Sequence, residues 1–175
     1  QQMLLNDRDF STQNIRPAVL YLNGEYWGVC AVNDRYNEKY INDHYGVEDA
    51  LVIKEDELSD GDEKNMYLYE ELKDFFDEDL SDPEIWERFV NTVDIKSLSD
   101  YFAAQIYIAN PDCSIEKNTE LWRSVYVDEN NPYADGRWRF MMFDTESGSG
   151  CYGDDNALYN FNSLDFIIER NPIIK

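Results

Sequence analysis

The stretch "RWRFMMFDTESGSG", residues 137–150, decides the reading of this sequence. An aromatic and apolar run of strand character ends at Phe143. It delivers Asp144, Thr145 and Glu146 straight into a turn of Ser147, Gly148, Ser149 and Gly150. On a strand, carboxylates at i and i+2 point to the same side. Like charges held that close repel unless something positive lies between them. The pair therefore faces either a metal ion or plain solvent.

Working outward, "GRWRFMMF" reads as the partner strand of "TELWRSVYV", the two joined by the turn-rich "DENNPYAD". Before them lies "PDCSIEKN", a loop, and before that "DIKSLSDYFAAQIYIAN", an apolar helix. "PEIWERFVNTV" opens behind Ser81-Asp82 with Pro83 in its first turn, a helix start. "NMYLYEELKDFFDEDL" carries apolar residues at helical spacing, and "EDELSDGDEKN" reads as a polar loop. "ALVIK" is a compact strand with Lys54 at its end, and "NDRYNEKYINDHYG" is a short helix ending at Gly46. "RPAVLYLNGEYWGVCAV" reads as a hairpin turning at Asn23-Gly24, expected to pack near the Lys54 strand. The tail "SLDFIIERNPIIK" starts a helix and stops soon after its Pro. The pattern predicts an α+β fold, with an antiparallel hairpin and strands around a helical middle from about Glu63 to Asn110.

The chain has 175 residues, suited to a single domain, with 43% hydrophobic and 15% aromatic residues to build a core. Its 15 basic against 37 acidic residues give a net charge of −22. Such a surface repels nucleic acid and anionic lipid, so neither nucleic acid nor membrane is expected as a partner. Such a surface suits divalent cations or basic protein substrates, and solubility alone explains it just as well. Cys30, Cys113 and Cys151 form no CxxC pair, which argues against a zinc knuckle. No apolar run approaches the ~18 residues of a membrane span. Position 1 is not Met, and the domain is expected to be truncated at both ends.

Lys54, Asp112, Asn118 and Asp144 follow one another in the order of a phosphoryl-transfer site. Such a site needs a Lys on nucleotide phosphates, a loop Asp to position the acceptor hydroxyl, and an Asn and an Asp on the metal. Taken singly, each is also an ordinary residue: a solvated strand-end Lys, a turn Asp after Pro, an acidic turn. "DELSDGDE" lacks the register of a calcium loop. His44 is the only histidine, and no GxSxG or Walker-type lysine motif occurs.

Together the phrases resemble the CotH kinase family, atypical protein kinases known from bacterial spore coats. "RPAVLYLNGEYWGV", "YINDHYGVEDALVIK", "ANPDCSIEKNTELWR" and "GRWRFMMFDTESGSG" are similar, in order, to that family's segments from about Arg16 onward. The resemblance implies an atypical protein-kinase-like fold, ATP, Mg2+ or Mn2+, and transfer to hydroxyls of a protein substrate, a coat or cell-surface protein. It also implies a spore-coat or extracellular setting. By motif, Lys54 is matched to the ATP phosphates and Asp112 to the catalytic-loop acid. Asn118 and Asp144 are matched to the metal. Glu146 stands where the family usually has a second Asp, and Asp34 where it usually has a Glu reaching the lysine. Other departures are Lys117 for an asparagine, Cys113 for a tryptophan, Ser114 for a proline and Phe143 for a tryptophan. The Asp112–Asn118 span is one residue longer than usual. A catalytically weakened or inactive module of the same fold, serving as a structural or interaction domain in a spore coat or extracellular assembly, is the competing reading.

Overall fold

The computed structural model describes residue 5, residues 7–148 and residues 162–174. In chain order it contains strands β1 (Ile15–Leu22) and β2 (Glu25–Asn33) and helix α1 (Glu38–Tyr45). Strands β3 (Ala50–Lys54) and β4 (Glu57–Asp60) precede helices α2 (Tyr67–Asp74), α3 (Pro83–Thr92) and α4 (Ile95–Tyr107). Strands β5 (Thr119–Ser124) and β6 (Arg139–Met142) and helix α5 (Ser163–Arg170) complete it. The fold is α+β, as the periodicities predict.

Four strands form an antiparallel sheet in the order β4-β3-β5-β6. Residues alternate between its two faces. Leu51, Ile53, Leu121, Phe140 and Met142 face one way and join Tyr69, Leu72, Phe89, Tyr101 and Ile167 from the helices in the larger core. Val52, Trp122 and Met141 face the other way, against Tyr36, Tyr40 and Ile41 around α1. Both faces of β3 are therefore covered, which is why its sequence is an unbroken apolar run. Asn37 caps α1 by accepting from the Tyr40 N–H at 2.8 Å. Gly46, at φ 67°, closes it in the left-handed conformation that a β-carbon disfavours. The buried guanidinium of Arg139 locks β6 to the turn before it, donating to both oxygens of Asp135 at 2.9 and 2.8 Å.

Two expectations fail. The first is the loop at "EDELSDGDEKN", which instead supplies β4, an edge strand paired with β3. Its turn is Glu55-Asp56, at φ 52° and 68°. This is the all-positive pattern of a tight hairpin turn, filled here without the usual Asn or Gly. The second is the placement of the β1–β2 hairpin. It forms as expected, turning at Asn23-Gly24 with φ 51° and 86°. Among the described residues, however, it pairs with no other strand and forms a separate two-stranded ribbon. Residues on both its faces are exposed, Trp27 at 69%. Its base is tethered to β6 rather than to β3: the Tyr36 hydroxyl donates to the carbonyls of Ser11 at 3.0 Å and Met142 at 2.9 Å.

Candidate functional site

Lys54 ends β3, Asn118 precedes β5, and Phe143 follows β6. Because these strands are antiparallel neighbours, the three ends meet: Lys54 lies opposite Glu120, and Thr119 opposite Met142. One end of the sheet thus gathers Lys54, Glu120, Asn118, Phe143 and the backbone leading to Asp144. The Lys54 ammonium sits 3.7 Å from the centre of the ring of Phe143, the residue before Asp144.

The partner of Lys54 is Glu120, with Nζ 3.6 Å from Oε1. The Glu120 side chain is only 5% exposed, while Lys54 is 35% exposed. Burial pushes the Glu120 carboxyl up to about 7, against the opposing pull of Lys54. Asp34 does not take this role. Its carboxylate accepts from the Asn14 N–H at 3.0 Å and the Asn14 Nδ2 at 2.7 Å, closing the base of the hairpin. The shorter Asp arm is used locally, and the ion pair forms across β3 and β5.

Asp112 and Asn118 come together despite the longer loop between them. Ser114 and Lys117 exchange backbone hydrogen bonds at 3.0 Å, a small turn that takes up the extra length. Asn118, at φ 57°, then folds back. Its Nδ2 donates to Asp112 Oδ2 at 2.8 Å and to the Asp112 carbonyl at 3.1 Å. The Asn110 side chain accepts from the Asp112 N–H at 3.1 Å. Lys117 Nζ lies 2.5 Å from Asp112 Oδ1.

The loop rests on α4. The Tyr101 hydroxyl bonds Thr119 Oγ1 at 2.9 Å and the Asn118 carbonyl at 3.4 Å, and Gln105 accepts from Asn110 Nδ2 at 3.0 Å. From the other side, Arg170 at the end of α5 donates to the Pro111 carbonyl at 3.0 Å. Cys113 is buried beneath the loop, and burial raises its thiol to about 11, which makes it a packing residue. Cys151 lies outside the described residues. His44 is structural: its Nδ1 meets the Tyr40 carbonyl at 2.9 Å.

The acidic pair is arranged differently from expectation. β6 ends at Met142, so Asp144 and Glu146 do not extend along a strand face. Asp144 adopts φ 45°, which turns the backbone and breaks the two-residue alternation. Thr145 is buried, and Glu146 is exposed at the turn. Asp144 is half-buried and makes no hydrogen bond or ion pair among the described residues. Gly148 then passes close to α4, where a β-carbon would come within 3.1 Å of the Ile108 carbonyl.

Asn118 and Asp144 offer hard oxygens, the donors that magnesium and manganese prefer. Among the described residues no group of three or more His, Cys, Asp or Glu forms a cage for a metal. A cation here would take one or two protein oxygens and complete its shell with phosphate and water, the usual magnesium pattern at a nucleotide. The side chains present fit that group.

Sequence reasoning missed Glu120 and the contact of Lys117. The signal for Glu120 was a carboxylate inside the otherwise apolar "TELWRS". Its meaning depended on the β3–β5 register, which a single strand does not reveal.

These residues stand on an α+β scaffold of two antiparallel sheets and helices. The CotH kinase protein family model matches residues 2–175, and the chain belongs to that family. No curated protein and no solved structure matches the chain.

Proposed function

We propose that this chain is an atypical protein kinase that moves the γ-phosphoryl group of ATP to a Ser or Thr hydroxyl of a protein substrate, with Mg2+ or Mn2+. The single observation that supports the reading is that the strand register brings Lys54, the end of the Asp112–Asn118 loop and the backbone leading to Asp144 to one end of the sheet. In the reaction the acceptor oxygen bonds to phosphorus and the bond to the ADP oxygen breaks. The hydroxyl proton passes to Asp112, whose Oδ2 is oriented by Asn118. Lys54 binds phosphate oxygens. Asn118 Oδ1 and Asp144 would hold the cation, which neutralises charge on the phosphates. Positioning and charge neutralisation are the main demands of phosphoryl transfer. The acceptor is a protein, of a coat or cell surface in the family's setting. The strongly acidic surface disfavours nucleic acid and anionic membrane as partners.

One observation favours a second reading. Lys117 occupies Asp112 Oδ1, an oxygen that an acceptor hydroxyl would approach. A chain that keeps this pair closed would be a binding module of the same fold in a coat or extracellular assembly. Transfer of labelled phosphate to a basic acceptor protein separates the two. The kinase reading expects metal-dependent labelling that Asp112→Asn lowers far more than it lowers ATP affinity, because Asp112 acts on the acceptor and not on bound ATP. ATP binding without transfer in wild type supports the binding module.

A further inference from the structure

We propose that Glu120, on β5, is the residue that positions Lys54 for the nucleotide phosphates, in place of the acidic residue that follows the hairpin. The inference rests on the kinase reading above.

The geometry carries it. The β3–β5 register sets Lys54 directly opposite Glu120, so both side chains rise from the same face of the sheet. The carboxylate lies 3.6 Å from the ammonium, and the Phe143 ring closes the other side of the lysine at 3.7 Å. Asp34 is committed to Asn14 and does not compete. The remaining charged groups acting on Glu120 are Glu55 and Arg35, with the Tyr36 hydroxyl also nearby.

Burying a carboxylate is costly unless its partner returns that energy. Packing alone would be better served here by an apolar residue, like Leu121 and Trp122 beside it. A separation of 3.6 Å is longer than a tight hydrogen bond, so the ammonium is bracketed and not fully engaged. Its exposed side remains open to a phosphate oxygen. Glu120 and Phe143 thus restrict the lysine to one direction while leaving that direction free, which lowers the entropy cost of binding a phosphate. Glu120 touches neither substrate nor metal in this account; it acts through Lys54.

The test is a double-mutant cycle on magnesium–ATP affinity, read by calorimetry on the folded chain. Glu120→Gln and Lys54→Met should each weaken binding by about tenfold, and the double variant should be no weaker than Lys54→Met alone. Glu120→Asp should recover part of the loss, because it keeps the charge and shortens the reach. Multiplying losses in the double variant would overturn the proposal, since Glu120 would then act independently of Lys54. So would equal binding by Glu120→Gln and wild type. A second readout separates this failure from failure of the kinase reading. Acylation of Lys54 by an amine-reactive ester, followed by peptide mass analysis, reports the pair without nucleotide. Glu120→Gln should raise the Lys54 rate severalfold relative to exposed Lys39. If wild type binds no ATP while Lys54 acylation still responds, the pair exists and the kinase reading fails. An unchanged acylation rate overturns the pairing itself.

Discussion

Asp144 shows how much one residue's backbone matters at this site. Its φ of 45° is a region that Asp and Asn tolerate better than most residues, and it turns the chain away from the strand direction. The sequence made Asp144 legible as a candidate, because an acid after an aromatic strand and before glycines is unusual. Its geometry was not legible, because alternation along a strand cannot anticipate where the strand ends. Asp144→Asn keeps the shape and the tolerance for positive φ while removing one negative charge. Its melting temperature without metal should stay within about 2 °C of wild type, given a free-energy change under roughly 0.5 kcal/mol. A drop much larger than that in a thermal melt would give Asp144 a structural role. Glu120 makes a prediction of opposite character. Its carboxyl is raised from an ordinary 4.5 to about 7 by burial, so it binds a proton more tightly folded than unfolded. Its contribution to stability is full below about 4.5 and is lost as the pH rises through about 7. Glu120→Gln does not titrate there. Wild-type stability should therefore fall relative to that variant as pH rises from 4.5 to 7.5 in urea titrations. Parallel pH profiles would contradict a carboxyl raised by its surroundings.

At the scale of elements, legibility followed how local the signal was. Helices α1, α3 and α4 were readable because their signals lie within each segment: Gly46 at the end of α1, Asp82 and Pro83 at the start of α3, and the apolar character of α4. The β1–β2 hairpin was readable because Asn23-Gly24 announces its turn. β4 was hidden, because only Leu58 is apolar in "ELSD" and the turn before it is Glu55-Asp56. Residues without glycine's freedom pay for positive φ, about 1 kcal/mol or more each. Glu55→Asn should relieve part of that cost and stabilise the fold by about 0.5 kcal/mol, or ~1–2 °C in melting temperature. Glu55→Gln separates the backbone effect from the charge effect, since it removes the charge and keeps the poor turn residue. If Gln stabilises as much as Asn, the gain is electrostatic and the turn is not strained. The placement of the hairpin was beyond a sequence reading for a different reason. Nothing within "RPAVLYLNGEYWGVCAV" states that its base is tied to β6 through Ser11 and Tyr36.

For the whole molecule the dominant quantity is charge. At −22, the folded chain concentrates mutual repulsion that the unfolded chain spreads out. Raising sodium chloride from about 0.01 M to about 0.5 M shortens the screening length from ~30 Å to a few ångströms. Melting temperature should rise over that range. A fall would mean that attractive pairs such as Lys54–Glu120 and Arg139–Asp135 outweigh the net repulsion. In the kinase reading proposed above, a polyphosphate approaches the lysine end of the sheet and a cation offsets the acidity it meets. Calorimetry of ATP with magnesium or manganese, on wild type and on Asp144→Asn, tests the central claim most directly. The account predicts saturable binding by wild type that requires the metal, and at least about tenfold weaker binding by the folded variant. Equal affinities for the two proteins, or no binding to wild type with either metal, would contradict it.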